Sequence, residues 1–362
     1  MNISVRLSER SYAIHLEPSY RALPALLARE QLPRYGWIIS HRRLLRQHGA
    51  ELLQSLRRAG WTLKTISVPE SESSKSLITA QRVIQQLARQ ATMRVPVLFA
   101  FGGGVIGDLT GFVAATYRRG VPYVQLPTTL LAQVDSAIGG KVGVDLPQGK
   151  NLVGAFYQPR LVYNNLSVLH TLPLRQRQSG LAEVIKYGAI ADPAVFRLLE
   201  RQSQDALALE GRVVRYLIEH SCRIKAHVVA QDEREQGSLR AHLNFGHTLG
   251  HALEAATHYT RWTHGEAIAI GMCAAAFLSV QAGRLSSQAH ARIEQVIRTF
   301  GLPTHARGVS RATVQRALRY DKKFIHGRPR WVLLTRIGRV VVTEQVPAVA
   351  VEAMLKRYVP SA

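Results

Sequence analysis

The sequence predicts an α/β N-terminal half built on a parallel sheet, followed by an all-α C-terminal half. Three observations carry this. Short apolar runs alternate with helix-periodic runs up to Leu172-Pro173, the pattern of a parallel sheet with helices on its faces. A glycine-rich loop follows one of those apolar runs at Phe101-Gly102-Gly103-Gly104-Val105-Ile106-Gly107-Asp108. Beyond Pro173 the alternation stops and helix follows helix.

Residues 2–7 and 12–16 alternate polar and apolar side chains around Ser8-Glu9-Arg10-Ser11 and read as paired strands. Further strands are expected at 36–40, 64–68, 95–101, 121–126 and 160–164, and a helix at 77–91. In the second half, helices are expected at 180–190, 194–202, 212–231, 243–258, 265–282, 287–300 and 311–319, and a late hairpin at 331–335 and 339–343 around Ile337-Gly338. The expected domains are therefore 1–172 and 173–362. The Ala-rich run 267–282 is shorter than the roughly 20 residues a bilayer requires and reads as a buried core helix.

With 362 residues, 46% of them hydrophobic and 20% charged, the chain can bury a sizeable core, which excludes disorder. Its two cysteines, Cys222 and Cys273, lack metal-ligand spacing, and with no signal-like opening they fit a reducing cytoplasm. The net charge of +23 suggests polyanions. The arginines are scattered over helix faces with no basic tail and no aromatic-interleaved stripe, which argues against nucleic acid and leaves compositional drift, with steering of anionic small molecules as a by-product.

The glycine loop contains G-x-G-x-x-G after a strand, the arrangement that lets a backbone approach a pyrophosphate at a helix N-terminus, as in a Rossmann-like fold. No acidic residue follows about 20 residues on, so the fingerprint is incomplete. Asp135-Ser136-Ala137-Ile138-Gly139-Gly140-Lys141 and Gly149-Lys150-Asn151 add lysines to glycines and make a donor-rich lip suited to phosphate or carboxylate.

Leu243-Asn244-Phe245-Gly246-His247-Thr248-Leu249-Gly250-His251, with Thr263-His264-Gly265-Glu266 shortly after, looks like part of a metal site. Histidines four apart on a helix share a face, and one opening a second helix can join them. The same spacing also serves capping or solvated pairs, and Thr248 excludes the H-E-x-x-H protease motif. Glu183 and Lys186, three apart in an apolar setting, are either a surface ion pair or a buried one that needs a metal or an anionic substrate.

Taken together, residues 102–120, Pro127 to Ala132, Asp135 to Lys141, Gly149 to Asn151, Gly180 to Lys186, Asp232 to Glu235, Asn244 to His251, His264 to Glu266 and Asp321-Lys322-Lys323 resemble the 3-dehydroquinate synthase family of sugar-phosphate cyclases, over about 69–323. The resemblance implies an N-terminal NAD-binding domain, a helical metal- and substrate-binding domain with the active site between them, and a homodimer. It implies conversion of 3-deoxy-D-arabino-heptulosonate 7-phosphate to 3-dehydroquinate and phosphate through NAD-mediated oxidation, phosphate elimination, re-reduction, ring opening and aldol closure, a route in the shikimate pathway. By position, Glu183, His247 and His264 resemble ligands of zinc, for which cobalt(II) can substitute. His251, Asn244, Lys141, Asn151 and a lysine of the Lys322-Lys323 pair resemble the phosphate-binding set. Lys186, Lys225, Arg240 and Asp135, with Glu235 nearby, resemble groups that grip the carboxylate and hydroxyls, and Arg119 resembles an arginine reaching the partner subunit's site. For NAD the matching positions are Glu72, Lys75, Gly103, Gly104, Asp108, Thr128, Thr129, Lys150 and Thr171.

The chain departs from the family pattern in places. His41 stands where an aspartate is usual near the adenosine ribose, and Arg42 and Arg43 beside it are compatible with a 2′-phosphate. Ala137, Val142, Asn165 and Gln176 replace a usual Ser, Thr, Asp and Glu, and Gln236 is one extra residue after Glu235. A sister cyclase such as a 2-deoxy-scyllo-inosose synthase would keep the metal and NAD but change the anion grip; Arg240, Asn244 and His251 favour the dehydroquinate branch. A metal-dependent polyol dehydrogenase would not need Lys141, Lys186 and Lys225 around an anion.

Overall fold

The computed structural model describes residues 2–90, 93–319 and 330–360, which form two compact units: 1–172 with 225–230, and 173–224 with 231–362.

The first unit contains β1 (Asn2–Val5), β2 (Tyr12–Glu17), α1 (Leu23–Arg29), β3 (Tyr35–His41), α2 (Arg42–Arg58), β4 (Thr62–Val68), α3 (Leu77–Arg89), β5 (Val97–Gly102), α4 (Gly104–Thr116), β6 (Tyr123–Pro127), β7 (Lys141–Leu146), β8 (Gly149–Phe156) and β9 (Leu161–Asn165). Seven of these strands make one sheet in the order β1-β2-β9-β6-β5-β3-β4, in which β1 alone runs antiparallel. Central strands covered on both faces must be apolar at every position. All six residues of β5 are accordingly buried. Its alternate side chains serve two cores. Leu98 and Ala100 join Trp37, Ile39 and the inner faces of α3 and α4, whereas Val97, Phe99 and Phe101 join Ile38 with Leu23 and Leu27 of α1 and Leu52 and Leu56 of α2.

The second unit contains α5 (Leu174–Ile190), α6 (Pro193–Arg201), α7 (Ser203–Ala208), α8 (Gly211–Gln231), α9 (His247–Ala256), α10 (His264–Gln281), α11 (Ser287–Thr299), α12 (Arg311–Arg319), β10 (Trp331–Arg336), β11 (Arg339–Thr343) and α13 (Ala348–Tyr358). Residues 225–230 of α8 belong to the first unit. The centre is α10, which is apolar all round and buried along most of its length, as the run 267–282 predicts. Cys222 and Cys273 are both buried as free thiols. Among the described residues no helix is long and apolar enough to cross a membrane.

Three local expectations change. The lysine-bearing lip is the antiparallel hairpin β7–β8, with Lys141 opening β7 and Gly149-Lys150-Asn151 opening β8. The helix expected over 243–258 is instead a 3-10 turn, Arg240–Asn244, a break, and then α9 from His247. The break lies at Gly246, whose φ of +81° only glycine adopts readily. Four helices, α1 and α2 in the first unit and α7 and α13 in the second, had no expected range.

Candidate metal centre and dinucleotide loop

Glu183, His247 and His264 come from α5, α9 and α10 and offer three ligand atoms within 4.8 Å of one another. Each is placed by its local sequence. Glu183 lies in the buried stretch of α5 and is itself fully buried. His247 starts α9 directly after the left-handed Gly246. His264 starts α10 behind a capping box, in which Thr263 Oγ1 accepts from the Glu266 amide and the Glu266 carboxylate accepts from the Thr263 amide at 2.7 Å. Arg175 grips Glu266 through two hydrogen bonds of 2.7 Å and fixes that turn further.

The distances suit a cation. Glu183 Oε1 is 3.3 Å from His264 Nε2 and 3.4 Å from His247 Nε2. Two ligands at zinc bond lengths in a tetrahedral site stand about 3.3–3.4 Å apart. His247 Nδ1 lies 3.2 Å from the Phe245 carbonyl and donates to it, so its Nε2 presents a lone pair toward the carboxylate. Two acceptors facing each other need a proton or a metal ion between them. One carboxylate and two imidazoles, with a fourth position left to water or substrate, are a catalytic zinc donor set.

Electrostatics ready Glu183 and His247 for a cation and hold on His264 a proton that a metal ion would have to displace. Burial acts to raise the Glu183 carboxyl, but the Lys186 ammonium paired with Oε2, and after it the two imidazoles facing Oε1, outweigh it and hold the group well below the usual carboxylate range. Burial and then the charge of Lys186 lower His247 to about 4, which keeps its imidazole neutral. Burial also acts downward on His264, but Glu254 and Glu183 carry it up to about 10.

In the first unit, Gly103 and Gly104 sit at the end of β5 and the start of α4, whose first turn carries no acidic residue. Next to them, at the end of β6, the Thr128 amide donates to the Gly102 carbonyl at 3.0 Å and Thr129 Oγ1 accepts from the Ala132 amide at 3.1 Å. A Cβ on Gly103 would meet the Thr129 methyl at 3.1 Å, so a side chain there would crowd Thr129. One turn into α4, Asp108 takes Lys75 Nζ at 2.5 Å, and the same ammonium reaches Asn151 Oδ1 at 2.5 Å. Burial lowers Lys75, but the charge and hydrogen bond of Asp108 outweigh it and raise the group. Lys150 pairs with Glu72 at 2.5 Å. Glu72, Lys75, Asp108 and Lys150 thus share one cluster beside the glycine loop, and Asn151, expected with the phosphate set, is placed there too. Thr171 is exposed and bonds His48 Nε2 at 2.8 Å.

The N-terminal model of 3-dehydroquinate synthase matches residues 65–179 and the C-terminal model residues 180–324. A 3-dehydroquinate synthase of Pelotomaculum thermopropionicum is 47% identical over 343 residues, 94% of this chain and 92% of that protein. One of Symbiobacterium thermophilum is 45% identical over 350 residues, 94% of this chain and 96% of that protein. The chain belongs to the 3-dehydroquinate synthase family. Among solved structures, a 2-epi-5-epi-valiolone synthase of Streptomyces hygroscopicus subsp. jinggangensis with NAD+ and Zn2+ bound is 27% identical with a TM-score of 0.89, covering 98% of each chain.

Other residues that the family resemblance singled out fall into smaller groups. Lys225 Nζ bonds Asp135 twice, side chain and backbone carbonyl both at 2.7 Å. Arg240 is buried, donates to the Glu233 carbonyl, takes an Asp232 oxygen on its amide at 3.2 Å, and stands 3.7 Å from Glu235. Burial acts to raise Asp232, but amides of Gly237 and Arg240 lower it. His251 meets His247 edge to face at 5.2 Å, one turn along α9, and half-buried Asn244 closes the 3-10 turn before it. Lys141 and Arg119 are exposed, and Arg119 adopts a left-handed φ of +62°. Lys322 and Lys323 lie outside the described residues.

Sequence reasoning missed Glu254, which the structure sets against His264 Nδ1 at 3.4 Å, and Asp145, which holds the Asn151 amide at 2.8 Å. An acidic residue seven positions after a helix-starting histidine shares its face, which was the available signal for Glu254.

Proposed function

We propose that this chain converts 3-deoxy-D-arabino-heptulosonate 7-phosphate to 3-dehydroquinate and inorganic phosphate, with a resident NAD and one zinc ion, for which cobalt(II) can substitute. The observation that carries the reading is the convergence of Glu183, His247 and His264 in a chain 47% identical to a 3-dehydroquinate synthase. When bound, the dinucleotide supplies a reversible hydride acceptor and the metal a Lewis acid, so the reaction has no net redox change.

The remaining work falls to side chains. Glu183, His247 and His264 hold the metal, and Lys186 keeps the carboxylate ionised for that task. Gly103 and Gly104 offer amides to the pyrophosphate, and the cluster of Glu72, Lys75, Asp108 and Lys150 meets the ribose and phosphate polar atoms, with Thr128, Thr129 and Thr171 beside them. Lys141, Asn151, Asn244, His251 and a lysine of the 322–323 pair bind the departing phosphate. Lys225, held by Asp135, and Arg240, backed by Glu235, are cations fixed in place for an anionic, hydroxyl-rich substrate. Orientation is their main contribution, and well-oriented groups can lower a barrier by roughly 7–11 kcal/mol. On this reading residues 1–172 serve the dinucleotide and 173–362 the metal and substrate, in a cytoplasmic homodimer to which Arg119 contributes across subunits, with no nucleic-acid or membrane partner.

The test is phosphate release from the heptulosonate phosphate. Turnover should release phosphate with no growth in absorbance at about 340 nm, stop on chelation and return with zinc. Stoichiometric NADH would assign a polyol dehydrogenase instead.

A further inference from the structure

The two imidazoles of the metal centre are supported unequally. His247 is largely buried and its Nδ1 donates to a backbone carbonyl, that of Phe245, at 3.2 Å. The His264 side chain is 29% exposed, and its Nδ1 faces a carboxylate, Glu254 Oε1, at 3.4 Å. Glu254 is buried near the end of α9, two turns beyond His247 and on the same face, so one helix supplies a ligand and holds the ligand of another.

Resting on the zinc reading given above, we propose that Glu254 is a positioning residue for the metal: its carboxylate accepts the Nδ1–H of His264, fixes that tautomer, and aims the Nε2 lone pair at the site shared with Glu183 and His247. A carboxylate behind a ligating imidazole orients the ring and makes it a stronger donor, and loss of such a partner typically costs 10–100-fold in metal affinity. The half-buried ring needs this more than the buried one, because packing holds His247 already. A bystander role for Glu254 lies in its backbone: its carbonyl accepts from the amides of Thr257 and Tyr259 at the end of α9, contacts that side-chain substitution leaves in place.

A rival assignment has Glu254 as a ligand in its own right, because His251, Glu254 and His264 also bring ligand atoms within 4.8 Å of one another. Stoichiometry separates the two. Full-length wild type, E254Q, E254A and H264A are stripped of metal, and zinc binding is measured by competition with a chromophoric chelator, together with cobalt(II) absorption and melting of the metal-free forms. E254A should still take one zinc per chain but bind it roughly 10–100-fold more weakly, with an altered cobalt spectrum. E254Q, whose amide oxygen can still accept from Nδ1–H, should fall between wild type and E254A, and it remains informative if E254A does not fold. Zinc affinity within twofold of wild type in both variants, with only the metal-free melting point lowered, overturns the inference, as does a second zinc in wild type that E254A lacks. Wild type that binds no zinc, or H264A that binds it as wild type does, removes the metal reading and this inference with it.

Discussion

The site depends on a glycine that is not a ligand. Gly265 follows His264 in the first turn of α10, where that helix crosses α5 so closely that a Cβ would meet Ser179 O at 2.2 Å and Ser179 Cα at 2.4 Å. Its amide donates to Ser179 Oγ at 3.1 Å across the same contact. Gly265→Ala must push the two helices apart by about 1 Å to reach ordinary contact distance, an overpacking cost of about 1–3 kcal/mol. Glu183 lies one turn beyond Ser179 on α5, so the displacement acts directly on the 3.3 Å separation between Glu183 Oε1 and His264 Nε2. Metal sites tolerate about 0.2 Å in ligand distance, several times less than the shift imposed. G265A should therefore lose most of its zinc by elemental analysis, although every ligand is intact, and should melt several degrees lower, at about 2–4 °C per kcal/mol for chains above 150 residues. A variant with a full complement of zinc and an unchanged melting point would refute the claim that this crossing sets the site.

Lys186→Met keeps the aliphatic stem but removes the charge that faces Glu183, and breaking a buried pair costs about 3–5 kcal/mol; urea unfolding should show most of that loss in metal-free protein and much less with zinc bound, since the ion then compensates the carboxylate, and equal losses in both forms would contradict the pairing. In the second unit, Glu294 accepts from Tyr358 Oη at 2.7 Å, and hydrogen bonds from His290 and then Tyr358 hold it at about 2 against the opposing effect of burial. A lowered folded-state value means that this stabilisation, about 2–3 kcal/mol, is present above the ordinary glutamate range near 4.5 and is lost as pH falls toward 2; E294Q should be less stable at neutral pH and flatter between about pH 5 and 2, whereas parallel stability curves for the two proteins would rule the contribution out.

The sheet was legible because strands covered on both faces leave a continuous apolar record, as at 97–102. The hairpin β7–β8 left no such record, since lysines, glycines and an asparagine at its ends read as a loop until pairing shows otherwise. Chain order hid another feature. A search about 20 residues downstream of the glycine loop finds no ribose-reading acid, yet the strand beside β5 is β3, which precedes it: Ser40 pairs with Phe101, so His41, with Arg42 and Arg43 after it, ends β3 level with Gly102. The residues level with the loop on the neighbouring strand thus come some sixty positions upstream, where no downstream spacing rule looks. The metal centre follows the same logic. The side chains that converge there stand out because they fall in glycine-punctuated runs that resemble the family's. Their supports do not, because Glu254 meets His264, and Ser179 meets Gly265, only where separate helices cross. Spacing within an element records which side chains share a face, and only packing between elements records what that face touches. Residues that support a side chain across a helix crossing are therefore harder to read from sequence than that side chain itself.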